Sequence, residues 1–512
     1  MSDNKRIAKN TLFLYFRMLL TMGVSLYTSR VILDKLGVDD YGIYNVVGGV
    51  VGMLSFINGT LSIGTMRFLT TELGKKDYKQ LKKTFNTAFY THLGIGLILA
   101  LLLETIGLWF VYNKLIIPPE RLHAAVFAYH ISILTSIISI TQVPYTSIIM
   151  AHERMDVYAY ISIFEAFAKL LVVYLLCLTV HDKLIIFAIL IAVLQFLVAM
   201  SYRVFSVKNF IESKLELLFD CSIFKSLMGF SGWNIMANIS ETLKLQGYLV
   251  LLNMFFQPFV VAAQAIGNQV AGAMMQFVSN FRTAINPQII KLYAAGEYED
   301  SKRLTLNTTI LVYDLVLLLG LPSIFVMETI MKIWLVEVPP YAVIFTQCII
   351  AQRILSTFDA AFYIPMMAEG KIKTNSMLAS ISGPGIFVIL YLLFKIGASV
   401  MWLQYAGFFS LAIFGFIIKP YLLVHDEKGY GYSDFKHCFL TCLKVTLSSI
   451  FLSYIFYMLI GNSTIMTSFF LFLCSFLCVI ICSTIFMDKI TRYKIRYAIT
   501  NRIRNKMSRK CE

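Results

Sequence analysis

The sequence predicts an all-α polytopic membrane protein of about 14 transmembrane helices, two pseudo-symmetric six-helix lobes around a central cavity plus two extra C-terminal helices. Three observations carry this. Hydrophobic residues make up 58% of the 512-residue chain, charged residues only 14%, and mean hydropathy is +0.73, which a water-facing surface cannot absorb. Apolar stretches of spanning length recur from Thr11 almost to the end, separated by short polar gaps. Compared with itself at an offset near 220 residues, the chain repeats several landmarks.

A helix crosses about 30 Å of hydrocarbon at about 1.5 Å per residue. Runs of that length place helices near 11–33, 41–69, 84–112, 124–150, 157–180, 184–207, 232–256, 259–290, 306–335, 341–367, 376–394, 398–424, 439–460 and 465–487. The first follows the basic segment Met1 to Asn10 and continues to about Leu33 without a small-residue cleavage site, so it reads as a retained helix and not a signal peptide. Ser382-Gly383-Pro384-Gly385 is expected to break the eleventh helix. The glycines of the second, Gly48, Gly49, Gly52 and Gly59, favour close helix packing. Cys474, Cys478 and Cys482 share a helical face, where packing is a better account than metal binding.

Lys and Arg set the orientation. With the N-terminus inside, the cytoplasmic segments hold clusters such as Lys75, Lys76, Lys79, Lys82 and Lys83, or Arg203, Lys208, Lys214 and Lys225, and a strongly basic tail from Asp488. The outer loops hold only Lys35, Lys114, Arg121, Lys183, Lys332 and Lys395. Both termini are therefore expected in the cytoplasm, and the net charge of +15 is a topology signal, not a nucleic-acid footprint. Trp109, Trp334 and Trp402 fall at outer helix ends and Trp233 at an inner one, as interfacial anchors do.

The internal repeat pairs Leu73-Gly74-Lys75-Lys76-Asp77 with Ala295-Gly296-Glu297-Tyr298-Glu299, Trp109 with Trp334, and Pro144 with Pro365. It divides the chain into an N-terminal six-helix lobe (1–222), a C-terminal six-helix lobe (223–428), two additional helices (429–487) and a basic cytoplasmic tail (488–512). Two such lobes would rock about a cavity to give alternating access.

The stretch Thr28-Ser29-Arg30-Val31-Ile32-Leu33-Asp34-Lys35-Leu36-Gly37-Val38-Asp39-Asp40-Tyr41-Gly42-Ile43-Tyr44 resembles the opening of Wzx-type polysaccharide (O-antigen or capsule repeat-unit) flippases of the multidrug/oligosaccharidyl-lipid/polysaccharide (MOP) exporter superfamily. Arg67-Phe68-Leu69-Thr70-Thr71-Glu72-Leu73 and Pro144-Tyr145-Thr146-Ser147-Ile148-Ile149-Met150-Ala151-His152-Glu153-Arg154-Met155 are similar to the second- and fourth-helix exits of the same proteins. The recognisable wording is confined to the first lobe. The resemblance implies a non-enzymatic flippase in the bacterial inner membrane. Its cargo would be an undecaprenyl-diphosphate-linked oligosaccharide, moved from the cytoplasmic to the periplasmic leaflet for lipopolysaccharide or capsule assembly. Its partners would be membrane lipids and the polymerase and chain-length components of the pathway. No cofactor is implied beyond a coupling ion, H+ or Na+.

Ionisable residues at bilayer depth are costly and are functional hypotheses by default. The substrate-binding candidates are Arg17, Arg282 and Arg353, which have no same-helix partner, with Lys244 and Arg30 behind them. A diphosphate suits such a cationic cavity, because Arg offers a planar fork to phosphate oxygens. The bland readings stand beside them. Arg30 and Arg67 can snorkel to the interface. Lys169 can neutralise Glu165, and Lys244 can neutralise Glu241, along their own helices. Glu241, Asp314 and Asp359 are the ion-coupling candidates, each equally readable as an ion-pair partner. His92, His130 and His152 are scattered singly.

Two rivals share the architecture. A multidrug exporter would want an acidic, aromatic cavity, and a peptidoglycan-precursor flippase would want the same cations. A membrane-embedded polymerase or glycosyltransferase would need a substantial outer loop, whereas Asn113 to His123 is among the longest here.

Overall fold

The computed structural model describes residues 3–486 except 54, 153, 180, 370–372, 427–429 and 462–463. All regular structure among them is helical: α1 Asp3–Leu36, α2 Val38–Gly52, α3 Ser55–Lys75, α4 Tyr78–Leu102, α5 Leu108–Lys114, α6 Leu122–Ala151, α7 Met155–Leu178, α8 Lys183–Asn209, α9 Cys221–Thr242 and α10 Tyr248–Phe255. There follow α11 Pro258–Ala294, α12 Tyr298–Phe325, α13 Met327–Trp334, α14 Ala342–Glu369, α15 Lys373–Lys395, α16 Trp402–Ile413, α17 Lys419–Asp426, α18 Tyr432–Ile460 and α19 Ile465–Phe486.

Each expected apolar stretch is helical, with details that periodicity alone does not carry. The second divides at Met53 into α2 and α3, after a run of glycines. The ninth divides at Val326 into α12 and α13, four residues beyond Pro322. Single π-turns join α4 to α5 (Leu103–Gly107), α9 to α10 (Leu243–Gly247) and α16 to α17 (Phe414–Ile418). The expected break at Pro384 is corrected: α15 runs through it. Gly383 lets α9 approach until a Cβ there would stand 3.0 Å from Ser240 Cα, and the Ser240 hydroxyl donates to the Ala379 carbonyl at 2.6 Å. The proline's missing N–H falls on the Ser380 carbonyl, one residue beyond the one Ser240 bonds, and α15 stays continuous through it against this closely packed neighbour.

Helix ends follow local chemistry. Asp77 accepts from Gln80 N at 2.9 Å, Asp182 from Leu184 N at 3.0 Å, and Asp220 from Ser222 N at 2.8 Å, so α4, α8 and α9 each start under an aspartate cap. Gly37 (φ 80°) ends α1 in the left-handed region, its N–H donating to Leu33 O at 2.9 Å.

Nine helical stretches among the described residues are long and apolar enough to cross a membrane by composition. This makes the chain a multi-pass membrane protein. The long helices outside that set are α1, α2 with α3, α9 with α10, α11 and α14. They carry mid-helix polar groups: Gln264, Asn268, Gln269 and Arg282 in α11, and Gln347, Gln352, Arg353 and Asp359 in α14. Lipid contact demands apolar side chains, so these are the helices whose faces must meet protein or water. Every candidate charge named above except Asp314 lies on them.

The described contacts group into two compact units. The first comprises residues 1–270, 332–346 and 373–406. Its core joins Ile43, Val46 and Val47 of α2, Ala125, Ala128 and Tyr129 of α6, Leu251 and Leu252 of α10, and Val261 of α11. At one end, Arg121 binds Asp40 (2.5 Å) and Asp182 (2.6 Å), while Asn253, fully buried, exchanges hydrogen bonds with Ile116. At the other, the 210–220 connection is strapped down: Glu216 N donates to Asn86, Asp220 N to Thr87, and His152 meets Glu212 at 2.6 Å while stacking on Phe210. The second unit comprises 271–331, 347–372 and 407–512. Among its described residues, α12, α18 and α19 pack together, and Phe358 and Phe362 of α14 meet Phe435 and Phe439 of α18.

The Arg121 clamp gives a prediction. Burial pushes the Asp40 carboxyl above its ordinary value against the pull of Arg121. At Asp182 burial also pushes upward, but the Arg121 bond and the helix-start N–H groups together hold it below. The two carboxylates differ because Asp40 is the more buried and stands beside Asp39 and Asp182, whereas Asp182 also caps a helix. Asp182 therefore contributes stability that is present above the ordinary carboxylate value and lost as pH falls through its depressed one, whereas Asp40 gains by protonating. Arg121→Ala is expected to cost about 1–3 kcal/mol at neutral pH, since two half-buried carboxylates lose their shared donor. The deficit should shrink on acidification. Thermal melts of both proteins across a pH series check this, and a deficit that widens in acid would reject it.

Candidate functional site

In the second unit, three charges from three helices converge. Lys419 opens α17 directly after the π-turn and is buried, with its Nζ 3.3 Å from Asp359 Oδ1 of α14 and 5.0 Å above the Tyr363 ring. Gly415 within that π-turn leaves room for α14, since a Cβ there would meet Phe358 Cβ at 3.2 Å. Arg282 of α11 donates from Nη2 to the Thr357 carbonyl at 2.9 Å, and its Nε is buried without a hydrogen-bond partner. Asp359 lies within electrostatic reach of Arg282. Two cations around one carboxylate leave this cluster with a net charge of +1.

Sequence reading singled out Arg282 and Asp359 separately and missed Lys419. The signal was present: Lys419-Pro420 is a lone charge inside an apolar helix, the same feature that singled out the other candidates. Arg353 of α14 is half-buried and has no ion-pair partner among the described residues. The Arg17 side chain lies outside the described residues.

In the first unit, Lys244 is half-buried and Glu241 exposed. The in-helix neutralisation open to this pair does not form among the described residues, where a π-turn beginning at Leu243 changes the angular spacing on which i,i+3 pairing depends. Lys169 and Glu165 do pair, at 2.6 Å. Arg30 donates to the Ile333 carbonyl at 3.2 Å, and Trp334 Nε1 donates to Leu26 O at 2.7 Å, so one end of α1 is tied to α13. Carboxamides form a second polar line: Gln404 donates to Gln264 at 2.7 Å, and Gln269 to the Ser29 hydroxyl at 2.6 Å.

A cavity of about 260 Å³ opens between α2, α6 and α8. Ser132, Thr135, Ser136 and Ser139 face it from one side of α6, with Tyr44 and Gln195 opposite, and no lining residue is charged. Gly48 and Gly52 both border it, and Gly49 and Gly52 pack against Gln246. Gly48 thus leaves space, Gly49 serves packing, and Gly52 does both.

Asp314 stands apart, buried among α12, α18 and α19. The histidines are engaged locally: His92 Nδ1 with Ala88 O, and His130 with Glu104. Among the described residues no group of His, Cys, Asp and Glu has metal-binding geometry.

Residues 14–175 match the MatE family model. No curated protein matches the chain. Among solved structures, the lipid II flippase MurJ in an inward closed conformation is similar at TM-score 0.67 and 13% identity, covering 94% of this chain and 98% of that one. An inward-facing multidrug resistance MATE family transporter of the MOP superfamily gives TM-score 0.65 and 12% identity over 80% and 94%. The MATE multidrug transporter DinF-BH in complex with R6G gives 0.60 and 14% over 83% and 96%. The chain therefore has the fold of the MOP-superfamily transporters, with a MatE match over its first third.

Proposed function

We propose that this chain is a flippase for an undecaprenyl-diphosphate-linked polysaccharide repeat unit. It moves the lipid from the cytoplasmic to the periplasmic leaflet of the bacterial inner membrane by alternating access, with both termini cytoplasmic, and draws on an ion gradient. The observation that carries this reading is the sign of the buried charge. Arg282, Lys419 and Asp359 make a cluster of net +1, and Arg353 and Lys244 add cations without a carboxylate at ion-pair distance among the described residues. A diphosphate leaving the headgroup region needs charge compensation inside the membrane, and guanidinium and ammonium groups supply it. An organic cation would be repelled by the same groups, which weighs against the multidrug reading despite the shared fold.

The peptidoglycan-precursor alternative has the same phosphate chemistry and differs in the headgroup. A hydroxyl-lined, uncharged cavity in the first unit suits hydrogen bonding to neutral sugars, and an oligosaccharide offers these throughout. The test is flipping in proteoliposomes of fluorescent undecaprenyl-diphosphate oligosaccharide, with lipid II and a rhodamine cation as competitors. Flipping of the oligosaccharide lipid, unaffected by the cation, is the expected result. Preferential movement of lipid II replaces the substrate, and transport of the cation alone rejects the flippase reading.

A further inference from the structure

α12, α18 and α19 enclose a seam of polar atoms that the cluster at Arg282 does not use. Asp314 lies near the middle of α12 at 8% exposure, and its Oδ1 has no hydrogen-bond partner. Ser449 and Ser453 of α18 and Ser475 of α19 are fully buried with no hydrogen-bond partner, and Ser483 of α19, nearly as buried, lies beside the Asp314 carboxyl. A hydroxyl inside a helix usually bonds the carbonyl of the preceding turn. On these same helices Thr446, Ser468 and Thr484 do so, to Cys442, Thr464 and Ile481. The four serines do not. An apolar seam would need none of them.

Tyr313 meets Thr446 at 2.7 Å, which sets α12 against α18, and Thr329 of α13 meets Ser468 at 2.8 Å. Ser483 lies beside the Asp314 carboxyl, which sets α19. Counting along the axes from these at about 1.5 Å per residue, Ser449 stands about 3 Å beyond Asp314, Ser453 about 9 Å and Ser475 about 12 Å. The hydroxyls form a file that leads from the carboxyl toward the Thr329–Ser468 end. They are strung along the axis and do not converge on one point.

The surroundings carry no compensating charge. Facing the seam are the thiols of Cys438 and Cys442 from α18 and of Cys478 and Cys482 from α19, with the Tyr313 hydroxyl on α12 itself. α14 contributes Phe358, its ring tilted against that of Tyr313 at 5.1 Å between centroids. Lys436, His437 and Lys444 of α18 are on exposed faces. Among the described residues no Lys, Arg or His lies at ion-pair distance from Asp314. A bare carboxylate at this depth is expensive, whereas a protonated one is both donor and acceptor and matches hydroxyls that are themselves both.

We propose that Asp314 is a proton-exchange site, loaded and unloaded once per transport cycle, and that the hydroxyls of Ser449, Ser453 and Ser475 hold a file of water along which the proton travels in the α12–α18–α19 seam. The proton moves from hydronium to the carboxylate and back to water, with no other bond made or broken. Sodium is disfavoured by the linear arrangement, since a metal cation needs several oxygens gathered around one point. The coupling role rests on the flippase reading; the protonation site does not.

The experiment is infrared titration of the full-length protein in liposomes. A carboxyl carbonyl band present at neutral pH in wild type should be lost on alkalinisation, be absent at neutral pH in Asp314→Asn, and shift in frequency in Ser483→Ala. An unchanged band in Asp314→Asn overturns the site. Should Asp314→Asn not purify folded, Ser483→Ala and the Ser449→Ala/Ser453→Ala pair decide: an unmoved band in both overturns it. In parallel, flipping of the fluorescent undecaprenyl-diphosphate oligosaccharide is measured under imposed pH and sodium gradients. Acceleration by the pH gradient alone, lost in Asp314→Asn, supports coupling, and acceleration by sodium alone rejects it. If no lipid flips but the band belongs to Asp314, the substrate reading fails and the site stands. If the lipid flips and the band belongs elsewhere, the reverse holds.

Discussion

Arg282→Ala is expected to slow flipping of the diphosphate-linked lipid by roughly 10–100-fold at unchanged protein abundance, the loss of one charge-assisted contact of about 1.5–3 kcal/mol. The guanidinium spends one nitrogen on the Thr357 carbonyl and keeps a buried Nε without a partner, so it is anchored while retaining donor capacity. Arg282→Lys keeps the charge and loses the fork, and its activity should fall between wild type and alanine. Lys419 is different in kind. Its removal strips Asp359 of its ion-pair partner, and Lys419→Met should destabilise the fold by about 2–3 kcal/mol, less than the full cost of breaking a buried pair because Asp359 itself is 36% exposed. The double variant Lys419→Met/Asp359→Leu should recover the stability without recovering transport. Initial flipping rates alongside thermal melts separate the two effects. Wild-type flipping by Arg282→Ala would remove this cluster from the transport path.

Gly42→Ala should be the most destabilising single methyl in the chain, at about 3 kcal/mol or more. A Cβ on Gly42 of α2 would overlap the Pro258 carbonyl oxygen at the start of α11 and come within 2.7 Å of its carbonyl carbon. Both partners are backbone, so no rotamer change relieves the overlap. The contact also sits beside the core formed by Ile43, Val46, Val47, Val260 and Val261, which cannot part without losing buried area. Gly48→Ala, six residues on, meets nothing within 4 Å and should stay within about 0.5 kcal/mol of wild type. Melting curves of the two variants in one detergent make the comparison internal. Equal melting temperatures would show that α2 and α11 can separate freely.

Much of the site was legible as residue types in the wrong surroundings. A charge inside an apolar run is visible in any sequence, and that rule found Arg282, Arg353, Lys244, Asp314 and Asp359. Which of them meet was not legible. Spacing left Lys244 open to pairing with Glu241 or to standing apart, and could not decide because it assumes an unbroken α-helical period where a π-turn intervenes. The break expected at Pro384 failed: α15 continues through it, packed at Gly383 against Ser240 of α9, a contact between distant segments that local spacing does not carry. Lys419 was overlooked although it obeyed the same rule as the others.

The sequence by itself determined that the chain lives in lipid and is helical throughout its described length, because apolar runs of membrane length leave the backbone no other way to satisfy its own polar groups. It also determined which polar residues are out of place. Only the tertiary structure decided that Asp359 belongs to Lys419, that Arg30 is held by the end of α13, and that Asp314 stands without a cation in a seam of unpartnered hydroxyls. The reason is physical: hydropathy is a property of each segment, whereas the cost of a buried charge depends on which other segment is brought against it.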